Sequence, residues 1–158
     1  MNNLFKKLAF ISVCATAANF AQAAGTQTST INVDAEVVTN CAINGGSLKV
    51  TGYDSIVANK TKSLDQTTTF TVACTKDSPV TIALTKNVLK AAKAQGAELK
   101  YDLFQDAAYS APWGTETNAR ALKGTGVSET ETVYIRVPAG QNQPADTYTD
   151  VITATVTF

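Results

Sequence analysis

The stretch TFTVACTKDSPVTIAL, residues 69–84, decides the fold class of this chain. Phe70, Val72 and Cys74 alternate with Thr69, Thr71 and Ala73. After Pro79 the pattern resumes, with Val80, Ile82 and Leu84 alternating with Thr81 and Ala83. Successive side chains of a strand point to opposite faces, so strict alternation predicts strands with one buried face. The same period recurs outward in both directions. It runs through Ile31, Val33, Ala35 and Val37, then Leu99, Tyr101 and Leu103, then Val133, Ile135 and Val137. It ends with Ile152, Ala154, Val156 and Phe158. Threonine fills many of the outward positions, as suits a pleated, half-exposed surface. Short alternating runs divided by Gly, Pro, Asn and Asp predict an all-β chain folded as an antiparallel sandwich or barrel. One stretch departs from the pattern. Residues 87–100 (NVLKAAKAQGAELK) are rich in helix-forming Ala, Leu and Lys, yet show no clean apolar stripe and are interrupted by Gly96. A short helix and a structured inter-strand loop both remain open there.

The first 23 residues have the layout of a secretory signal peptide: Lys6 and Lys7, an apolar run from Leu8 to Ala18, then Ala21-Gln22-Ala23 as a small-residue cleavage site. The apolar run is well short of the roughly 20 residues that span a bilayer. Residues 24–158 are then expected to form one exported domain. Of three cysteines, Cys14 falls in the leader, leaving Cys41 and Cys74 as an even pair that an oxidising compartment joins. The rival reading is a metal site, but the chain has no histidine, and two cysteines do not close a zinc shell. No metal and no cofactor are expected.

The 13 basic and 13 acidic residues balance, with no basic patch of the kind that nucleic acid requires. Lack of histidine also removes the commonest general base, and no nucleophile motif is present, so the chain does not read as an enzyme. Asp102 with Asp106, and Glu129 with Glu131, read as solvated faces rather than catalytic carboxylate pairs. Tyr53, Tyr101, Tyr109 and Trp113 allow two readings: a sugar-stacking surface on a carbohydrate-binding adhesive module, or aromatics that pack the core. The ends of the chain carry a further expectation. The last alternating run reaches Phe158 with no later strand to cover its neighbour, while the first follows a polar leader, Ala24–Thr30. Such an edge is a template for another chain's strand. Periodicity alone leaves Ile31–Val37 as either an ordinary first strand or a strand given to a neighbour.

The run Val137-Pro138-Ala139-Gly140-Gln141, the later Pro144-Ala145-Asp146-Thr147-Tyr148-Thr149-Asp150 and the Thr/Val tail closely resemble the spore coat protein U family. That family includes the major subunits of archaic chaperone–usher pili. Leu99–Asp106 followed by Trp113-Gly114 is similar to its second signature, and Cys41 and Cys74 stand where its disulfide is placed. Two positions depart: Asp146, where glycine usually precedes the tyrosine, and Ile135 after Tyr134, where glycine is common. Aspartate tolerates a left-handed turn there, and Ile135 removes a bulge or a close approach. The resemblance implies an incomplete immunoglobulin-like antiparallel sandwich lacking its last strand, completed by a donor strand from a chaperone or another subunit. It implies residues 24–40 as the donor segment, with Ile31, Val33, Ala35 and Val37 as its inward side chains. Ile152, Ala154, Val156 and Phe158 would form the chaperone-binding C-terminal strand. The implied partners are a periplasmic chaperone, an outer-membrane usher and identical or related pilin subunits, with export through the periplasm to a surface pilus that supports adhesion or biofilm formation. The alternatives are a secreted coat protein of the same fold that does not polymerise, and the carbohydrate-binding module.

The cysteine reading is checked by peptide mapping without reduction, which is expected to recover Cys41 and Cys74 as one linked species. Replacing either with serine is expected to cost roughly 2–5 kcal/mol and to lower the yield of exported protein.

Overall fold

The computed structural model describes residues 24–47 and 50–158; the expected signal peptide, 1–23, lies outside the described residues. Contacts divide the chain after Ala35. In the first unit, residues 24–35 are exposed and without regular secondary structure. Ile31 and Val33 are 85% and 87% exposed. A strand is held by ladder bonds to a neighbour, and the alternating run 31–37 has no such ladder among the described residues.

The second unit, Glu36–Phe158, holds ten strands among the described residues. These are β1 (Cys41–Asn44), β2 (Leu64–Cys74), β3 (Pro79–Thr85), β4 (Leu89–Ala91) and β5 (Glu98–Leu99), followed by β6 (Asp102–Phe104), β7 (Arg120–Lys123), β8 (Ser128–Val137), β9 (Tyr148–Thr149) and β10 (Thr153–Thr157). One sheet has the order β1-β2-β8-β6, a second β10-β3-β7, and a small third β5-β4-β9; every pairing is antiparallel. This is the all-β sandwich that the alternation predicts. Phe70 and Val72 from β2, Val133, Ile135 and Val137 from β8, and Val80, Ile82 and Leu84 from β3 are buried in one core. Cys41 sits opposite Cys74 across the β1–β2 ladder, and the two are disulfide-bonded.

Trp113 closes one side of the sandwich. Its indole Nε1 donates to the Ile82 carbonyl at 2.9 Å, its backbone N–H donates to Leu103, and the Leu84 N–H donates to Gly114. The loop at 112–114 thus joins the β6 edge of one sheet to β3 of the other, and buries an aromatic ring whose polar atom is satisfied. Tyr101 is buried with it; both are 3% exposed, so these two aromatics belong to the core and not to a sugar-stacking face. Tyr53 is tied down by its hydroxyl, which donates to Pro138 and accepts from the Gln141 N–H.

Several expectations are corrected. Residues 87–100 form neither a helix nor a loop alone but the hairpin β4–β5, with Leu89 opposite Leu99 and both buried. The Asp146 carboxylate accepts from the Lys93 and Ala94 N–H groups, each at 2.7 Å, and occupies donors that a helix would need. Tertiary burial and this cap override helix propensity. Asp146 does not take a left-handed conformation, which among the described non-glycine residues falls to Asp77, Tyr109 and Glu116. Ile135 lies in an unbroken β2–β8 register and is 2% exposed, so the missing glycine has become a core position. Phe158, read as inward-facing, is 53% exposed.

The carboxylates do not pair with one another. Asp102 faces Lys86 at 3.7 Å, and Asp106 caps its own turn through Ser110 and Ala111. Glu131 is buried rather than solvated. It holds the Arg120 Nε at 2.9 Å between the two sheets, and Arg120 lies over the Trp113 ring. Taking away one partner leaves the other charge without its counter-ion in the sandwich. Glu131→Ala is therefore expected to lower stability by roughly 1.5–3 kcal/mol. Replacing both residues with methionine is expected to recover much of the loss. Chemical denaturation of the three proteins is the check; a double variant no better than Glu131→Ala would count against the pair.

Candidate functional site

Opposite the Trp113 side, the sandwich is open. Among the described residues β1 pairs only with β2, and β10 pairs only with β3, so each presents an unpaired backbone edge. Between the two edges runs a cleft of about 330 Å³, with Ile43 on the β1 side, Ile152 and Ala154 on the β10 side, and Phe70, Leu84 and Ile135 beneath. Close-packed interiors keep few voids larger than a water molecule, so this is a missing layer of side chains rather than loose packing. Gly46 keeps the β1 side clear: a Cβ there would overlap the Thr69 carbonyl, and the chain passes flush against β2.

The cleft has one polar end. The Asp150 carboxylate accepts from the Tyr101 hydroxyl at 2.7 Å and from the N–H groups of Asn87 and Val151 at 2.8 Å. Burial pushes the Asp150 pKa up, but these donors outweigh it and hold the carboxyl below its ordinary 3.8. Burial, reinforced by the bond to Asp150, raises Tyr101 far above its ordinary 10.0. Lys86 stands over the Tyr101 ring at 4.9 Å. Beyond this end lies a larger cleft, about 780 Å³, which shares Val50, Leu89 and Asp150 with the first. Several of its polar groups are taken up by the loops that build it, as with Asp146 to Lys93 and Tyr148 to Pro144. The apolar cleft between free edges is the one whose backbone lacks partners among the described residues.

Ile152 and Ala154 line this groove, and Val156 is half-buried on the same face of β10; Phe158 stands outside the core. Ile31, Val33, Ala35 and Val37 are exposed. The β1 wall was not legible: Cys41-Ala42-Ile43-Asn44 is too short to show a period, and only the cysteine marked it. Asp150 stood within the Pro144–Asp150 signature, with nothing to assign it a role. Among the described residues no helix is long and apolar enough to cross a membrane.

Among the described residues, two facing antiparallel sheets with one closed side, and one side where both edges are free, define an immunoglobulin-like sandwich without its last strand. The family profile described as Spore Coat Protein U domain matches residues 27–155, and the chain belongs to that family. Protein U of Myxococcus xanthus is 32% identical, aligned over the whole of both chains. Among solved structures, the fold is similar to a chain of the CsuC–CsuE chaperone–tip adhesion subunit pre-assembly complex from archaic chaperone–usher Csu pili of Acinetobacter baumannii. The TM-score is 0.53 at 20% identity, covering 77% of this chain and 40% of that one.

The polar end of the groove makes a testable contribution to stability. A lowered carboxyl pKa stabilises the fold fully above the ordinary value, and that share is lost as pH falls from 3.8 through the lowered value. Asp150→Asn is expected to remove this share of the acid loss, flattening melting temperature against pH below about 4. Curves that stay parallel to those of the parent would assign the acid sensitivity to other carboxylates, such as Asp65 beside Arg136.

Proposed function

We propose that this protein is the structural subunit of a surface pilus, polymerised by donor-strand complementation through a chaperone–usher pathway. The observation that carries the reading is the apolar groove between two unpaired strand edges, in a chain that also holds an exposed segment of matching period. Ile31, Val33, Ala35 and Val37 are the inward side chains of the donor strand, and they enter the groove of the next copy. An antiparallel register with Val37 opposite Ile152 sets all four against Ile152, Ala154, Val156 and Phe158. Asn32, Asp34 and Glu36 then fall opposite Thr157, Thr155 and Thr153. In this register Ile31 covers the exposed ring of Phe158. Burial of the four side chains contributes on the order of 5–10 kcal/mol gross, and the backbone edges gain a ladder.

Before assembly the same groove and the strand Ile152–Phe158 are held by a periplasmic chaperone, which lends its own strand. An outer-membrane usher then exchanges it for the segment of the incoming subunit. The name of the solved neighbour, a chaperone–subunit complex of an archaic pilus, supports this pathway, as does family membership. Export through the periplasm and the 1–23 leader belong to the same proposal, as does a role in adhesion or biofilm formation. Catalysis has no place in it.

Val33→Asp places a charge in an apolar groove at a cost of several kcal/mol. It is expected to leave a chaperone-bound subunit that folds but builds no fibre. Thr30→Asp, just before the alternating run, is expected to assemble normally. Electron microscopy of surface-sheared material reads both. Normal fibres from Val33→Asp would mean that the segment is not the donor.

A further inference from the structure

We propose that Thr75 is a positioning residue for assembly, holding residues 38–40 so that the donor segment is kept from folding back into its own subunit's groove. The inference rests on the groove reading above. It starts from a competitor that any such subunit carries. Three residues, Val38, Thr39 and Asn40, separate Val37 from Cys41, and a loop of three is an ordinary hairpin length. A hairpin there would lay residues 31–37 along the free edge of β1, which is one wall of the groove.

The strand ends make that hairpin feasible. Cys41 pairs with Cys74, just before the connection 75–78, and Thr157 pairs with Thr81, just after it. Cys41 and the Thr157 end of β10 therefore share one end of the sandwich. A segment doubling back from Cys41 would run parallel to β10, with Val37 near Phe158 and Ile31 near Ile152. Its apolar face would still match, since a period of two is the same in either direction: Ala35 would meet Val156 and Val33 would meet Ala154. A tethered strand acts at millimolar effective concentration, so self-completion would outcompete a second copy unless something opposes the turn.

Thr75 opposes it. Its N–H donates to the Asn40 carbonyl at 2.9 Å, and its Oγ1 accepts from the Asn40 N–H at 2.9 Å. Its single hydroxyl proton has two acceptors in reach, the carbonyls of Asn40 at 3.2 Å and Val38 at 3.4 Å. These bonds carry the β1–β2 ladder one pair beyond the disulfide and keep residues 38–40 in line with β1, where a hairpin needs them to reverse. The Thr75 backbone is itself braced: its carbonyl accepts from both the N–H and the Oγ of Ser78, which is buried.

Cysteine pairs separate the two states in the exported full chain. Ile31→Cys with Ile152→Cys reports the parallel, intrachain arrangement, and Ile31→Cys with Phe158→Cys the antiparallel, interchain one. In the Thr75 background the interchain link is expected to dominate. Thr75→Val keeps the volume and removes the hydroxyl, and is expected to raise the intrachain link about fivefold, the shift that one hydrogen bond of ordinary net strength gives. Thr75→Ser restores the hydroxyl and is expected to match the parent, which a loss of packing alone would not do. Asn40→Gly eases the turn without altering the sandwich and is expected to shift the ratio in the same direction. Peptide mapping of the Cys41–Cys74 link confirms the fold of each variant. An interchain link that forms while Thr75→Val and Asn40→Gly leave the ratio unchanged overturns the clamp alone. No link of either kind in any background overturns the groove reading, and the clamp with it.

Discussion

Backbone N–H and C=O groups at the edge of a sheet need partners, and in this protein two such edges, on β1 and β10, face each other across an apolar cleft with no described strand between them. The remaining architecture is arranged around that gap. On the far side the Trp113 loop stitches β6 to β3 through three hydrogen bonds, so the sheets are held together without help from the open side. The Cys41–Cys74 bond fastens the short β1 to the long β2. A four-residue strand with one free edge has little ladder of its own, and a covalent tie keeps that wall in place while the groove is unfilled.

Polar groups near the groove set its limits. Asp150 gathers the Tyr101 hydroxyl and two backbone N–H groups at one end, so the apolar floor stops there. At the other end Thr75 and the 75–78 connection hold the chain leading into β1. Glu131 and Arg120 carry a charge pair between the sheets, away from the groove lining. A partly buried pair of this kind, with Glu131 covered and Arg120 a third exposed, adds little net stability over apolar packing, but its cost when mismatched disfavours a wrong alignment of the two sheets. We take this as the reason a charge is tolerated at an inward β8 position.

Alternation made most of the core legible. Phe70, Val72, Val80, Ile82, Leu84, Val133, Ile135 and Val137 were each expected to point inward, and each is buried. Elements too short for a period, or with a propensity at odds with their packing, carry no such mark. Cys41–Asn44 and Arg120–Lys123 are four residues each, and β9 only two, so none shows a pattern. Residues 87–100 left a helix and an inter-strand loop both open, because Ala, Leu and Lys abound without a clean apolar stripe; in the fold Leu89 and Leu99 are drawn into the core and the Asp146 carboxylate caps the hairpin from 53 residues away. Phe158 continues the alternation of its strand, but lies beyond the last residue paired with β3 and is left half exposed.

The sequence by itself determined that the chain is all-β, which face of each long strand is buried, and that Cys41 and Cys74 form a pair. These depend on side-chain period and on composition, which are local or countable. Only the tertiary structure decided which strand edges stay unpaired, that the two free edges border one groove, and that Asp146, Asp150 and Thr75 act on backbone far from them in sequence. Strand order is a long-range property: β1 and β10 lie near opposite ends of the folded unit's sequence, and nothing in either segment records that no described strand lies between them.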